Sequence, residues 1–152
     1  MSAREGSDYD ALRSVAARYA AGVDRRDRAL FLSVFAEDAV MVVPSGDGTS
    51  MQLHGHHEIG DVVKLISRFP RTFHLVGQSS YELGGTLSNG EVYCVAHHVT
   101  ADADADLVMY VRYQDAYRRD GAGLWLIARR HVQVDWTETR PLTWPPKKET
   151  QP

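Results

Sequence analysis

The sequence predicts a single α+β domain, and three observations support that prediction. Segments with helical spacing dominate the first part of the chain, and four long segments with a period of two follow them. Helices that are separate from a run of hairpins are typical of an α+β fold with an antiparallel sheet, whereas a βαβ fold would alternate the two. The length of 152 residues, with 43% apolar and 24% charged residues, fits one globular domain.

Two helices are predicted at the start of the chain. Residues 8–24 carry apolar side chains at helical spacing, so one face of the first helix would be buried. Asp27 is a suitable N-cap for a second helix, because its short carboxylate can accept from the first free backbone N–H groups. The buried stripe of that second helix is expected to extend to Val34 and Phe35.

The remaining elements are one helix and several strands. A third helix is expected between Gly55 and Pro70. The predicted strands cover residues 39–43, 51–53, 71–83, 91–101, 107–118 and 124–136. The expected turns are Gly84-Gly85, Asn89-Gly90 and Asp120-Gly121. We therefore expect one domain over residues 1–137 and a proline-rich, extended or disordered tail over residues 138–152.

Charge and composition exclude several classes of partner. The net charge is −3 and like charges form no long block, which argues against a nucleic-acid surface because that needs a basic stripe. No apolar run approaches the ~20 residues of a membrane span, and the polar N-terminus lacks a secretory signal. Cys94 is the single cysteine and can form no intramolecular disulfide. We expect a cytoplasmic protein with no nucleic-acid and no membrane partner.

Two residues are candidates for proton transfer. Asp24 falls in the last turn of the first predicted helix, where a carboxylate faces the negative end of the helix dipole. His74 lies on a predicted strand and shares one face with Val76 and Gln78. An imidazole is the natural general base near neutral pH, and a neighbouring carboxylate would fix its tautomer and stabilise the imidazolium. Asp24 and His74 could therefore form a general-base pair.

The residues alone leave other interpretations open. Asp24 could be a solvated helix-end carboxylate that pairs with Arg25 or Arg28. His74 could be a structural histidine that is hydrogen-bonded to a backbone carbonyl. Histidines also cluster at residues 54–58, but without a spaced partner for a metal site, so we expect a solvated loop and no metal there.

Four further residues are candidates for lining a cavity between helix and sheet. They are Tyr19, His98, Tyr113 and Arg130. His97 and His98 are adjacent and point to opposite faces, and His98 shares its face with small residues that suit a cavity wall. Arg129 and Arg130 also point opposite ways unless a bulge intervenes, and both could instead form a surface ladder with aspartates.

Four local patterns together resemble a known family. They are Tyr19-x4-Asp24-x2-Asp27, Phe73-His74-x2-Gly77-Gln78, Tyr113-x-Asp115-x-Tyr117-Arg118-Arg119-Asp120-Gly121 and Trp125-x-Ile127-x2-Arg130. In this order, over residues 8–137, they resemble the SnoaL-like branch of the nuclear transport factor 2-like superfamily. The resemblance implies a cone-shaped α+β barrel, in which a curved antiparallel sheet wraps around the N-terminal helices and encloses one internal pocket.

The resemblance also implies a set of site residues. The branch includes scytalone dehydratase and lindane dehydrochlorinase, which use a histidine base beside an aspartate of the first helix. Those positions are similar to His74 and Asp24 here, and the active-site arginine of the dehydrochlorinase falls near Arg130. A tyrosine of scytalone dehydratase falls at Val23, which argues against scytalone as the substrate.

The resulting hypothesis is a cofactor-independent lyase or isomerase of dehydratase, dehydrohalogenase or cyclase type. No phosphate loop, dinucleotide fingerprint or serine-nucleophile motif is present, so we expect no cofactor. The family implies a small hydrophobic substrate, for example a steroid, terpene or polyketide-like molecule, and a homodimer or homotrimer formed through the outer sheet face. The alternative is a non-catalytic protein that binds small molecules in the same pocket.

Overall fold

The structure, a computed structural model, describes residues 3–143 and has a helical N-terminal part followed by a curved sheet. In chain order the elements are α1 (Ala3–Arg25), α2 (Arg28–Leu32), β1 (Phe35–Pro44), β2 (Ser50–His54), α3 (Gly55–Ile66), β3 (Arg71–Gly84), β4 (Leu87–Val99), β5 (Ala105–Arg119) and β6 (Trp125–Pro141). No helix in this part of the chain combines the length and apolar character that a membrane span needs.

The six strands form one sheet in the order β2-β1-β6-β5-β4-β3. The long strands β3 to β6 pair antiparallel with their neighbours along the chain, as hairpins must. The pair β1–β6 is parallel, which differs from the expected all-antiparallel sheet. These two strands are far apart in the sequence, so no hairpin joins them. A tight turn forces the strands it connects to run antiparallel, and that requirement does not apply here. The sheet is open, with β2 and β3 at its edges.

Helix α1 packs on the inner face of this curved sheet, and the α+β fold class is confirmed. Its apolar side recurs at helical spacing, and Leu12, Val15, Tyr19 and Val23 are all buried. They join the residues of the inner sheet face in one hydrophobic core. The end of α1 and the start of β3 thereby meet at one end of the core.

The second helix is shorter than the sequence predicts. Asp27 is its N-cap, as expected, and its carboxylate accepts from the Leu30 backbone N–H. The helix ends at Leu32, and Phe35 instead begins β1, where it pairs with Ile127 of β6. Burial of Val34 and Phe35 was therefore predicted correctly, but sheet pairing overrides the helical period at this point.

The predicted turn at Asn89-Gly90 is wrong, because both residues lie inside β4. The turn predicted at Gly84-Gly85 is confirmed, because the chain reverses just after Gly84 and Gly85 adopts a positive φ of +74° that suits glycine. Gly90 pairs with Tyr81 of β3, and a Cβ atom at Gly90 would lie 2.5 Å from the Tyr81 ring. This glycine makes room for an aromatic ring and does not form a turn.

Two β-bulges decide which side chains reach the inner face. On β3 the register shifts between Val76 and Ser79, so Ser79 takes the place that strict alternation would give to Gln78, which is exposed. On β6 a shift opposite Ala116 and Tyr117 leaves one extra residue and turns both Ile127 and Arg130 inward.

The last strand runs to Pro141, beyond the predicted end at residue 136 and into the segment predicted as a tail. The Leu142 backbone N–H donates to the Asp104 carbonyl at 2.9 Å. Residues 144–152, which hold most of the proline-rich tail, lie outside the described residues.

Candidate active site

The structure brings the side chains of Asp24 and His74 together at the end of α1. Asp24 Oδ1 lies 2.7 Å from Nδ1 of the His74 ring, and Asp24 Oδ2 accepts the His74 backbone N–H at 2.9 Å. The Thr72 hydroxyl also donates to Oδ1, at 2.9 Å. The two side chains are 22% and 6% exposed respectively, so the pair is largely shielded from water.

The position of His74 on an edge strand explains the backbone contact. β3 has β4 on one side only, so the N–H groups on its other side lack a strand partner. Asp24 accepts one of them. This hydrogen bond offsets the unfavourable interaction of a carboxylate with the negative end of the helix dipole. Sequence reasoning missed Thr72, although it lies two residues before His74 and therefore on the same strand face.

The electrostatics of the pair determine which ring nitrogen of His74 carries the proton. Burial opposes ionisation of Asp24, but the hydrogen bonds from the His74 ring, the His74 backbone and Thr72 outweigh it and lower the pKa of Asp24. An ionised carboxylate only accepts, so the His74 ring proton lies on Nδ1 when the imidazole is neutral. Nε2 has no hydrogen-bond partner among residues 3–143 and carries a free lone pair.

His98 lies beside this pair on the inner face and is 3% exposed. Its ring centroid is 5.6 Å from that of His74 and 4.9 Å from that of Phe69. Burial and the nearby His74 lower the pKa of His98 to about 4, so its imidazole is neutral at physiological pH. A neutral ring next to His74 can accept or donate a hydrogen bond without repelling the imidazolium that proton transfer would create.

A second polar group lies deeper on the inner face and is centred on Arg130, which is 0% exposed. Its guanidinium forms a bidentate ion pair with Asp115, at 2.8 and 2.7 Å, and the Tyr117 hydroxyl donates to the same carboxylate. The guanidinium carbon also lies 4.2 Å from the ring centre of Tyr19 and 4.1 Å from that of Tyr113. Burial raises the pKa of both tyrosines, so their hydroxyls stay protonated.

One nitrogen of this buried guanidinium is left without a partner. Nη1 of Arg130 is buried and makes no hydrogen bond within the described residues. A buried cationic donor without an acceptor is unfavourable, which makes it a natural contact for a partly negative ligand atom. Arg129, in contrast, is exposed on the other face.

The other histidines do not reach this site. His97 lies on the outer face, where its Nδ1 is 2.6 Å from Asp106 Oδ2. In the 54–58 cluster, the His56 ring contacts the Phe35 carbonyl at 2.9 Å and Glu58 accepts the His54 backbone N–H. The described residues contain no group of three or more His, Cys, Asp or Glu side chains that could hold a metal ion.

Comparison with solved structures places this fold among proteins with different functions. The chain is similar to a candidate scytalone dehydratase from Novosphingobium aromaticivorans, with 18% identity, 91% of each chain covered and a TM-score of 0.80. It is similar to hexachlorocyclohexane dehydrochlorinase LinA-type3 from Novosphingobium barchaimii, with 17% identity, 92% and 93% covered and a TM-score of 0.76. A function-unknown protein from Mycobacterium tuberculosis is also similar, with 22% identity, 87% and 74% covered and a TM-score of 0.75.

Sequence comparison identifies the family. No curated protein sequence matches the chain. The family model of the SnoaL-like domain matches residues 4–131, which include nearly all of α1, the strand that carries His74, and Arg130. The chain therefore belongs to the SnoaL-like family.

Proposed function

We propose that this protein is a lyase or isomerase in which His74 acts as general base on a small, mainly apolar molecule. The observation that carries the proposal is the 2.7 Å contact between His74 Nδ1 and Asp24 Oδ1, which leaves Nε2 as the free acceptor. Of the structurally similar proteins, one is a candidate dehydratase and another is named a dehydrochlorinase, and both names describe eliminations. The SnoaL-like fold alone would not select this function.

The proposed step starts with the free nitrogen of His74. Nε2 takes a proton from a substrate carbon, and the C–H electron pair becomes a new carbon–carbon double bond. In an elimination, hydroxide or halide leaves the adjacent carbon with its bonding pair, and the imidazolium then gives its proton to the departing hydroxide or, when halide leaves, to water. In an isomerisation, the π pair of the substrate's existing double bond shifts to its far carbon, and that carbon takes the proton back from the imidazolium. Asp24 stabilises the imidazolium by charge and holds its ring in place.

Arg130 supports a second contact with the substrate. Its unpartnered Nη1 would donate to a carbonyl oxygen or another atom on which negative charge develops. His74 pairs across the sheet with Ala96 and then Met109, and Tyr113 follows four residues later on β5. The Arg130 guanidinium lies over the Tyr113 ring, so Tyr113 marks its position along the sheet. At about 3.3 Å per residue, the four residues from Met109 to Tyr113 span roughly 13 Å along the strand. A substrate that contacts both ends would therefore be an elongated apolar molecule with one polar end.

The test is hydrogen exchange and elimination with a panel of cyclic β-hydroxy ketones, enones and polyhalogenated alkanes in D2O. The wild-type protein should exchange or eliminate at least one class, and His74→Ala and Asp24→Asn should lower the rate by about 100-fold or more. Circular dichroism and thermal unfolding of both variants provide the folding control. Turnover that survives in His74→Ala would contradict the proposal.

The same panel distinguishes a binding protein from an enzyme. A non-catalytic protein would bind members of the panel, and calorimetry would give similar dissociation constants for wild type and His74→Ala. No bound compound would exchange deuterium or form product. That result would replace the enzymatic proposal with a role in small-molecule binding.

We also propose that the protein self-associates through the outer face of the sheet. Four residues, one on each strand from β3 to β6, form a cross-strand row there: Leu75, Val95, Tyr110 and Trp136. Leu75 and Trp136 are 56% and 58% exposed, and the row lines a groove of about 310 Å³. Val95 and Tyr110 between them are half-buried, and a contiguous apolar row with exposed residues at both ends supports an interface between copies of the chain.

A further inference from the structure

The residue after α1 has a backbone conformation that its side chain does not favour. Arg26 has a φ of +58°, in the left-handed region. Its N–H donates to the Val23 carbonyl at 3.1 Å and the Asp27 N–H donates to the Gly22 carbonyl at 2.9 Å, the two bonds of a Schellman helix end. Glycine usually occupies this position, because the Cβ atom of any other residue is crowded by its own backbone there. We therefore expect favourable contacts of the Arg26 side chain to offset this backbone strain.

The guanidinium of Arg26 makes that contact with three parts of the chain. Nη1 donates to the Val23 carbonyl at 2.6 Å and to the Thr72 hydroxyl at 2.8 Å. Nη2 donates to the Phe69 carbonyl at 2.8 Å. One side chain thus joins the end of α1, the segment that leaves α3 and the start of β3. These are the segments on either side of the Asp24–His74 pair.

These contacts fix the direction of every proton in the chain of hydrogen bonds. A guanidinium only donates, so the Thr72 oxygen must accept from Arg26. The single Thr72 proton is then directed to Asp24 Oδ1, at 2.9 Å. Donation from Thr72 helps to keep Asp24 ionised and oriented, and the ionised carboxylate, which can only accept, keeps the His74 proton on Nδ1. A hydroxyl that accepts from a cation is also a stronger donor.

We propose that Arg26 is a positioning residue that acts through Thr72 and Asp24 to keep the His74 proton on Nδ1 and Nε2 free. This inference rests on the proposed general-base role of His74. Arg26 does not touch the reacting atoms. It orients Thr72, which in turn helps to orient the carboxylate that holds the base.

The experiment is ¹⁵N NMR of the His74 ring in ligand-free protein at a pH where the imidazole is neutral. The wild type should show one protonated-type Nδ1 signal and one unprotonated-type Nε2 signal. Arg26→Gly and Thr72→Val should move both signals towards each other, because the Nε2–H tautomer becomes populated. Thr72→Ser keeps the hydroxyl and should restore the wild-type pattern.

Two controls separate positioning from charge and from folding. Arg25 is exposed and adjacent to Asp24 in the sequence. Arg25→Ala therefore removes a nearby cation that lies outside the hydrogen-bond chain, and it should leave the ring signals unchanged. Arg26→Gly removes the backbone strain together with the guanidinium, so its fold should be retained. If Arg26→Gly does not fold, Thr72→Val tests the same hydrogen-bond chain with a side chain of similar shape.

The outcome is separable from that of the proposed function. Unchanged ring signals in both Arg26→Gly and Thr72→Val would overturn the positioning role, whether or not the protein turns over a substrate. A protein that binds ligands without turnover would contradict the general-base function and leave the tautomer result intact. With a substrate in hand, both variants should lower kcat by about 10- to 100-fold while KM changes little.

Discussion

Asp24 holds His74 at two points, through the ring Nδ1 at 2.7 Å and through the backbone N–H at 2.9 Å. A carboxylate that contacts both the ring and the backbone of the same residue fixes the side-chain rotamer as well as the tautomer. The pair joins the last turn of α1 to the edge strand β3. It is therefore part of the packing between helix and sheet, and its removal should affect stability as well as chemistry.

Replacement of Asp24 by Asn should destabilise the protein in a pH-dependent way. The pKa of Asp24 is lowered in the folded state, so the stabilisation is present above the unfolded pKa of about 3.9 and is lost as the pH falls through the folded value. Asp24→Asn should lower the free energy of unfolding by about 1–3 kcal/mol at about pH 5. The gap from wild type should shrink towards about pH 3, which urea unfolding at both pH values would measure. An equal gap at both would contradict an ionised, stabilising Asp24.

His98 should make the protein sensitive to mild acid. Its folded pKa of about 4 lies below the unfolded value of about 6.5, so only the unfolded state gains this proton between the two. Stability should therefore fall as the pH drops from about 6.5 to about 4, by up to about 3 kcal/mol from this residue. His98→Gln should have a shallower dependence of the unfolding free energy on pH in this window. An unchanged slope would mean that His98 is protonated in the folded state.

The sequence predicts the helix and strand that carry this site better than it predicts the side-chain contacts between them. The 3.6-residue period of α1 and the period of two along β3 are local signals that place Asp24 and His74 on their elements, and the family resemblance is what favoured the two residues as a pair. The contacts of Thr72 and Arg26 depend on how the segment after α3 packs against the end of α1. No local sequence pattern indicates that packing. The general-base role of the pair stays a prediction.

Bulges and close packing explain most of the other differences. Strict alternation puts Gln78 on the face of His74, whereas the bulge on β3 replaces it by Ser79. Asn89-Gly90 has the composition of a hairpin turn, but the Tyr81 ring requires a glycine opposite it inside the strand. In each case tertiary packing overrides a local rule, so one sequence without its fold could not reveal it.

The buried Arg130–Asp115 pair should be much more important for stability than a similar pair on the surface. Arg130→Met leaves Asp115 buried without its cation and should lower the free energy of unfolding by about 3–5 kcal/mol. The additional change Asp115→Leu should recover most of that loss. Arg112, whose pair with Asp135 is partly exposed, is the matched control, and Arg112→Met should lower the free energy of unfolding far less, because water screens that pair. Equal losses at the two arginines, measured by urea unfolding, would contradict this prediction.

The outer apolar row should control self-association. Sedimentation velocity should give a homodimer or homotrimer for the wild type, and Leu75→Glu should shift it to monomer, because it puts a charge on an exposed apolar residue at one end of the row. Leu124 is similarly exposed, at 61%, but lies at the β5–β6 turn. Leu124→Glu is therefore the matched control and should leave the oligomer intact. A monomeric wild type, or equal behaviour of the two variants, would contradict an interface on this face.

Gly90 should tolerate no side chain, although it lies in an ordinary strand. An alanine Cβ there would lie 2.5 Å from Cδ1 of Tyr81 and 3.0 Å from the Ser80 carbonyl oxygen, so the ring or the strand must move. Because the Tyr81 ring is buried against Tyr117, at 5.9 Å between ring centres, it has little room to move. Gly90→Ala should therefore cost about 1–3 kcal/mol of unfolding free energy.

The matched control for this substitution is Gly121, in the turn between β5 and β6. No atom lies within 4 Å of a Cβ built there, and its φ is outside the left-handed region. Gly121→Ala should leave the unfolding free energy nearly unchanged or raise it slightly, because alanine restricts the unfolded chain. If the two variants have the same stability, the ring of Tyr81 can move aside, and Gly90 is a strand glycine without a packing role. If Gly90→Ala alone is destabilised, Tyr81→Leu should relieve the clash and recover part of the loss, because the two sites are in contact and their effects are not additive.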